Sequence, residues 1–240
     1  MKYYGTCFLD SYINLGIAME YVAGGSMWSF IQRNGPLGNE LVTEYLFQIL
    51  TGISYLLREK IIHRDLKADN VLITTGGTIL KIADFGVSKR IFPQQSGPKS
   101  IVGTAYWMAP EVIRSDNNKP YTDKVDIWGI GITAFEFLTG SYPFSDMVPW
   151  QAMNKIGDPN TNMKDELIIP ETVSELLKDF IFICVAAKPE QRPSADDALK
   201  TKLFSSFHQQ VNVNDYSGEV LASSDFIYQS FPAVPYCSLY

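Results

Sequence analysis

The sequence predicts an α+β protein in which a few short strands come first and helix dominates afterwards. Three observations carry this. Strand-like runs occupy residues 3–8 and 15–22, joined by a polar turn. Two further β-rich runs, 71–74 and 79–82, are split by Gly76-Gly77 in the manner of a hairpin. From Asn39 onward apolar residues recur every three or four positions, the period of an amphipathic helix.

Taken in order, Gly24-Gly25 breaks the second strand, and Ser26 is suited to cap a short helix running to Ile31. Val42, Leu46, Ile49, Ile53 and Leu56 mark a long helix over residues 39–57, the best-marked in the chain. A loop rich in Gly, Ser, Pro and Gln covers residues 92–103, and helical patterns return at 122–138, 149–156, 173–186 and 194–203. Ser194 stands three residues ahead of Asp197, a loose capping box. Residues 205–240 contain no Lys or Arg, seven Ser and seven aromatics, and read as a poorly ordered tail; its aromatics could instead dock on the body or on a partner.

Composition narrows the function classes. At 46 % hydrophobic and 19 % charged residues, the 240-residue chain has the balance of a soluble globular protein with a substantial core. A net charge of −6 gives no global argument for nucleic acid or an anionic membrane as partner. Cys7, Cys184 and Cys237 are odd in number and widely spaced, so they build neither a disulfide framework nor a metal site, and a reducing cytoplasm fits best. The most apolar stretch, 127–138, is too short to span a bilayer and contains Glu136. The N-terminus is a poor signal peptide, since Asp10 interrupts any apolar core.

Two short segments dominate the functional reading. His63-Arg64-Asp65-Leu66-Lys67-Ala68-Asp69-Asn70 fits H-R-D-L-x-x-x-N at every fixed position. Asp84-Phe85-Gly86 follows fourteen residues after Asn70, and Ala109-Pro110-Glu111 comes further on. Any one tripeptide would be weak; the ordered set is the protein-kinase signature.

The chemistry explains the residue types. Phosphoryl transfer needs positioning and neutralisation of negative charge more than covalent help. Asp65 is placed to orient an incoming hydroxyl and accept its proton. Magnesium prefers hard oxygen ligands and keeps several waters, so Asp84 and Asn70 suffice from the protein. Lys67, two residues past the base, can offset charge on the moving phosphoryl group. Taken alone, Asp65 would read as a turn cap, and the complete motif reverses that reading. His63 tempts as a general base, but in the family that the motif resembles this histidine packs under the catalytic loop.

The resemblance runs through residues 2–204 and implies a kinase-like fold, a mostly α-helical C-terminal lobe with a remnant of the N-terminal lobe's sheet, using ATP and Mg2+. Met19 resembles the gatekeeper, and Glu20-Tyr21-Val22 the hinge, where the Glu20 carbonyl and Val22 amide would hold the adenine edge above Leu72. Asp126-Ile127-Trp128-Gly129-Ile130-Gly131 resembles the D-x-W-S-x-G helix start, with Gly129 where Ser is common; Asp126 would anchor the catalytic loop. Arg192 resembles the arginine that pairs with Glu111.

Lys67 in the loop, with Gly103-Thr104 ahead of 107–111, resembles serine/threonine kinases, and Thr104 would help seat the acceptor hydroxyl. Arg64 beside the base implies activation by phosphorylation, by an upstream kinase or by the protein itself, with Lys89 as a second basic ligand. Ser96, Ser100 and Thr104 are the candidate acceptors, Ser100 the favoured one. Lys2-Tyr3-Tyr4-Gly5-Thr6, residues 19–26, Gly35-Pro36-Leu37, residues 103–111 and Met153-Asn154-Lys155-Ile156-Gly157 together resemble MAP kinase kinase kinases, with sterile-20-like kinases sharing much of the pattern. The implied substrate is a MAP kinase kinase.

The chain departs from the family ahead of Tyr3, where no G-x-G-x-x-G-x-V, no V-A-I-K-like lysine and no glutamate-bearing helix is found. Residues 1–204 are therefore expected to be a partial kinase domain. It is read first as part of an active kinase, second as a binding or regulatory module, and third as a nucleotide sensor.

Overall fold

The computed structural model describes residues 1–9, 14–90, 103–114 and 122–210. Two compact units emerge, a smaller one that holds residues 1–22 and a larger one over 23–205. In the smaller unit β1 (Tyr3–Leu9) and β2 (Asn14–Met19) form an antiparallel pair in which Thr6 faces Ile17 and Phe8 faces Leu15. The strand expected over 15–22 stops at Met19. Beyond it the Glu20 amide donates to the Lys2 carbonyl at 2.8 Å, and the Lys2 amide donates to the Glu20 carboxylate at 3.0 Å. Alternation puts Phe8, Leu15, Ile17 and Met19 on one face, and all four are exposed.

In the larger unit α1 (Met27–Asn34) begins where expected, with the Ser26 hydroxyl accepting from the Ser29 amide, but it runs three residues past Ile31 to the stop at Gly35. Next comes α2 (Asn39–Arg58), which buries Val42, Leu46, Ile49 and Ile53 of the predicted stripe and leaves Leu56 half-buried. A short β3 (Ile61–Ile62) leads into a loop and a 3-10 turn over Ala68–Asn70. The expected hairpin is β4 (Val71–Ile73) with β5 (Leu80–Ile82), turning through Gly77 at φ +69°. β6 (Lys89–Arg90) pairs back onto β3, a contact between distant dipeptides that no local pattern announces.

The remaining helices are α3 (Pro110–Arg114), α4 (Lys124–Thr139), α5 (Pro149–Gly157), α6 (Met163–Glu166), α7 (Glu175–Cys184), α8 (Ala195–Leu199) and α9 (Ser205–Gln210). α7 starts two residues later than its apolar pattern because the Ser174 hydroxyl accepts from the Leu177 amide and fixes the first turn. The helix expected over 194–203 is broken into α8 and a 3-10 turn at Lys202–Phe204. That break seats the fully buried Phe204 ring against Phe47 and Phe180, at 5.8 and 5.3 Å. The first six residues of the expected tail are helical as α9; residues 211–240 lie outside the described residues, as do Ser96 and Ser100.

The core of the larger unit is built around α4. Every residue from Val125 to Leu138 is buried, so the helix is apolar all round rather than amphipathic. It packs on α2 and α7, and Gly140 in the left-handed region closes it. Two acidic residues, Asp126 and Glu136, lie inside this apolar rod, and burying them requires partners. Both partners come from the functional site.

Candidate active site

The catalytic-loop sequence leaves β3 and is pinned by α4. The Asp126 carboxylate accepts from the His63 amide and the Arg64 amide, each at 2.8 Å. This holds Arg64 at φ +72°, a left-handed conformation rare for a side chain of that size. Burial pushes the Asp126 carboxyl above its usual range, against the pull of these two amides. His63 is fully buried: its Nε2 donates to the Ala83 carbonyl at 2.9 Å, its Nδ1 accepts from the Asp65 amide, and its ring meets Phe85 edge-on at 5.1 Å. Both ring nitrogens are engaged within the fold.

Asp65, thus positioned, is the hub of a closed network. Its Oδ1 accepts from the Thr104 amide at 2.9 Å and the Thr104 hydroxyl at 2.8 Å. Its Oδ2 accepts from Asn70 Nδ2 at 2.9 Å and lies 3.1 Å from Lys67 Nζ. Lys67 Nζ in turn donates to Thr104 Oγ1 at 2.6 Å. Burial alone would raise the Asp65 carboxyl, but the Thr104 hydroxyl, the Lys67 ammonium and the Asn70 amide outweigh it and hold the group below the ordinary aspartate range. Gly103 makes the approach of Thr104 feasible: at φ +120°, a Cβ there would stand 2.9 Å from the Arg64 carbonyl oxygen.

The β4–β5 register brings in the second loop. Val71 faces Ile82, and one step further the Ala83 amide donates to the Asn70 carbonyl at 2.9 Å, so Asp84 emerges beside Asn70. Asp84 is exposed at φ +59°, and its Oδ1 accepts from the Gly86 amide at 3.1 Å. Asn70 Nδ2 spends its hydrogens on the Asp65 carbonyl, at 2.7 Å, and on the Asp65 carboxylate. That orientation leaves the amide oxygen as the atom able to ligate. One exposed carboxylate and one oriented amide oxygen are hard ligands, few in number, and fit magnesium, which retains waters and phosphate oxygens. Among the described residues no group of three or more His, Cys, Asp or Glu forms a protein-only cage.

The other sequence-derived residues fall into three places. Arg192 Nη1 and Nη2 grip the two Glu111 oxygens at 2.7 and 2.8 Å, and the guanidinium stacks on Trp128 at 4.9 Å. Lys89 sits opposite Ile62, two residues before Arg64. Met19, Glu20 and Val22 belong to the smaller unit and Leu72 to the larger, where Leu72 bridges to Ser26.

Sequence reasoning noted Glu136 only as a charge inside an apolar run. In the fold it touches the site: one carboxylate oxygen accepts from the Ala68 amide at 2.9 Å and from Trp107 Nε1 at 2.7 Å. An acid inside the apolar run 127–138 was the available signal, because such a group must be paired or neutral.

Comparison with known proteins identifies the family. A family model described as the protein kinase domain matches residues 1–204. Mitogen-activated protein kinase kinase kinase YODA of Arabidopsis thaliana is 41 % identical over 199 residues, 83 % of this chain and 21 % of that protein. Serine/threonine-protein kinase CLA4 of Candida albicans is 37 % identical over 80 % of this chain and 20 % of its own length. Mitogen-activated protein kinase kinase kinase 19 of Homo sapiens is 39 % identical over 87 % of this chain and 15 % of its own length. The chain thus spans about a fifth of the length of such relatives. With its catalytic-loop hub, its paired second loop and a family match over residues 1–204, the chain belongs to the protein kinase domain family.

Proposed function

We propose that the protein carrying this chain is a serine/threonine kinase that transfers the γ-phosphoryl group of ATP to a hydroxyl of a MAP kinase kinase. The observation that carries the reading is the Asp65 hub, in which a carboxylate, a lysine and a threonine hydroxyl lie within hydrogen-bonding distance of one another. Asp65 orients the acceptor hydroxyl and takes its proton. Its depressed basicity makes it an orienting group first and a proton acceptor only as the oxygen's charge is lost to the new bond. Lys67 offsets charge on the transferred group, and Thr104 holds both partners in register. Asn70 and Asp84 would hold Mg2+, which with ATP supplies the transferable group and neutralises its charge.

The substrate class follows from relatives whose names describe MAP kinase kinase kinases. Arg64, and Lys89 paired with Ile62 two residues ahead of it, suit a loop phosphate on Ser100 placed by an upstream kinase or by the protein itself. Among the described residues no helix is long and apolar enough to cross a membrane, and a cytoplasmic location suits this role.

The test is transfer of labelled phosphate from Mg·ATP to a kinase-inactive MAP kinase kinase by the native protein that carries this chain, with Asp65→Asn as blank. Transfer above the blank is expected. Equal incorporation by both would overturn the role given to Asp65, and phosphate appearing on other proteins alone would overturn the substrate.

A further inference from the structure

Glu136 is nine-tenths or more buried in α4, yet its two oxygens are treated unequally. One accepts both the Ala68 amide and the Trp107 indole N–H; the other is buried with no hydrogen-bond partner among the described residues. The two donors belong to different segments. Ala68 directly follows Lys67, and Trp107 ends the 3-10 turn that Thr104 opens, its amide donating to the Thr104 carbonyl at 2.9 Å. At their far ends those segments meet again, through Lys67, Thr104 and Asp65, while the Lys67 ammonium stands 5.9 Å from the Trp107 ring centre. Removing the acceptor would leave the buried Ala68 amide and the half-buried Trp107 indole without it and free each segment to move against the other.

We propose that Glu136 is a positioning residue for the transfer site, bridging the catalytic loop and the Thr104–Trp107 turn as a neutral hydrogen-bond acceptor. An ionised carboxylate gains by sharing donors between its oxygens, whereas a neutral acid has one carbonyl-like acceptor, which is the pattern seen. Burial pushes the Glu136 carboxyl up to about 8. The Ala68 and Trp107 donors and the Lys67 charge pull it back, and Asp69 pushes it further up. An uncharged orphan oxygen in the core is far cheaper than a charged one. The link to transfer rests on the kinase reading; the bridge itself does not.

The experiment compares Glu136→Gln and Glu136→Leu in the 240-residue chain by amide hydrogen exchange at Ala68 and by acrylamide quenching of Trp107, assigned by difference from Trp107→Phe. Glutamine copies the neutral acid in shape and acceptor. It should leave both readouts within about twofold of the parent, while leucine should raise each about tenfold. Parent-like behaviour of the leucine variant would overturn the bridge. Damage by glutamine equal to that by leucine would show that the charge, not the acceptor, is what matters, and would overturn the neutral form. Should the leucine variant lose its far-ultraviolet circular dichroism, Trp107→Phe decides. It should speed exchange across residues 104–107 about tenfold with Ala68 still protected, and unchanged exchange there would overturn the bridge. These readouts need no nucleotide, so a chain that fails to transfer phosphate but passes them sinks the kinase reading alone. In the native protein kcat should fall about tenfold with leucine and recover with glutamine, at constant KM.

Discussion

Two regions of the larger unit bury carboxylates a few residues' reach from one another and treat them oppositely. At the rim, Asp65 meets four donors spread over both oxygens, and its carboxyl is held below the ordinary range despite its burial. Inside α4, Glu136 meets two donors on one oxygen, and burial wins, pushing it up to about 8. Glu136 is the more deeply buried, at 1 % exposure against 9 % for Asp65, so depth of burial and the number and distribution of donors together decide which acid stays ionised. Asp65 is held toward the ionised form at the site proposed for transfer, and Glu136 toward the neutral form inside α4.

The sharpest break in this contrast comes at the rim. Asp65→Asn keeps the shape and removes the proton acceptor, and phosphate transfer by the native protein should fall by about 10³-fold or more with the melting temperature little changed. A rate within tenfold of the parent would place the base elsewhere. Next in size, Arg192→Met strands the Glu111 carboxylate, which loses both its guanidinium bonds. Urea denaturation should show a loss of about 3–5 kcal/mol, since half of a buried ion pair is left behind.

The interior acid can be isolated by pH. Glu136 is raised in the folded chain from an ordinary 4.5 to about 8. Between those values the unfolded chain is ionised there and the folded chain is not, so unfolding releases a proton. Its contribution to stability is complete at low pH and is lost as pH rises toward about 8, at up to roughly 1.4 kcal/mol per unit. The difference in unfolding free energy between the parent and Glu136→Gln, measured at pH 5 to 9, should change across that window and level off above it. A flat difference would mean that the carboxyl is ionised throughout. Smallest of all, Ser194→Ala removes the hydroxyl that accepts from the Asp197 amide at 3.1 Å and should cost about 1 kcal/mol without altering transfer.

How much of this was legible depended on the range of the interaction. The stripe of Val42, Leu46, Ile49 and Ile53 announced α2 because a helix's contacts repeat within four residues. Gly76-Gly77 announced the β4–β5 hairpin for a similar local reason. The break between α8 and the Lys202–Phe204 turn was missed, because Phe204 is drawn to Phe47 and Phe180, partners that no window around it contains. The pairing of Ile61–Ile62 with Lys89–Arg90 was hidden for the same reason.

The sequence by itself determined the residue types of the site and their order: His63 to Asn70 ahead of Asp84, then Glu111, with Arg192 far downstream. Only the tertiary structure decided which acids are charged and what they hold. Asp126 and Glu136 lie in one apolar helix and burial pushes both carboxyls up, yet one takes two backbone amides on separate oxygens and the other gathers Ala68 and Trp107 on a single one. Ionisation inside a protein is set by the donors that the fold delivers into low dielectric, and those come from segments far apart along the chain.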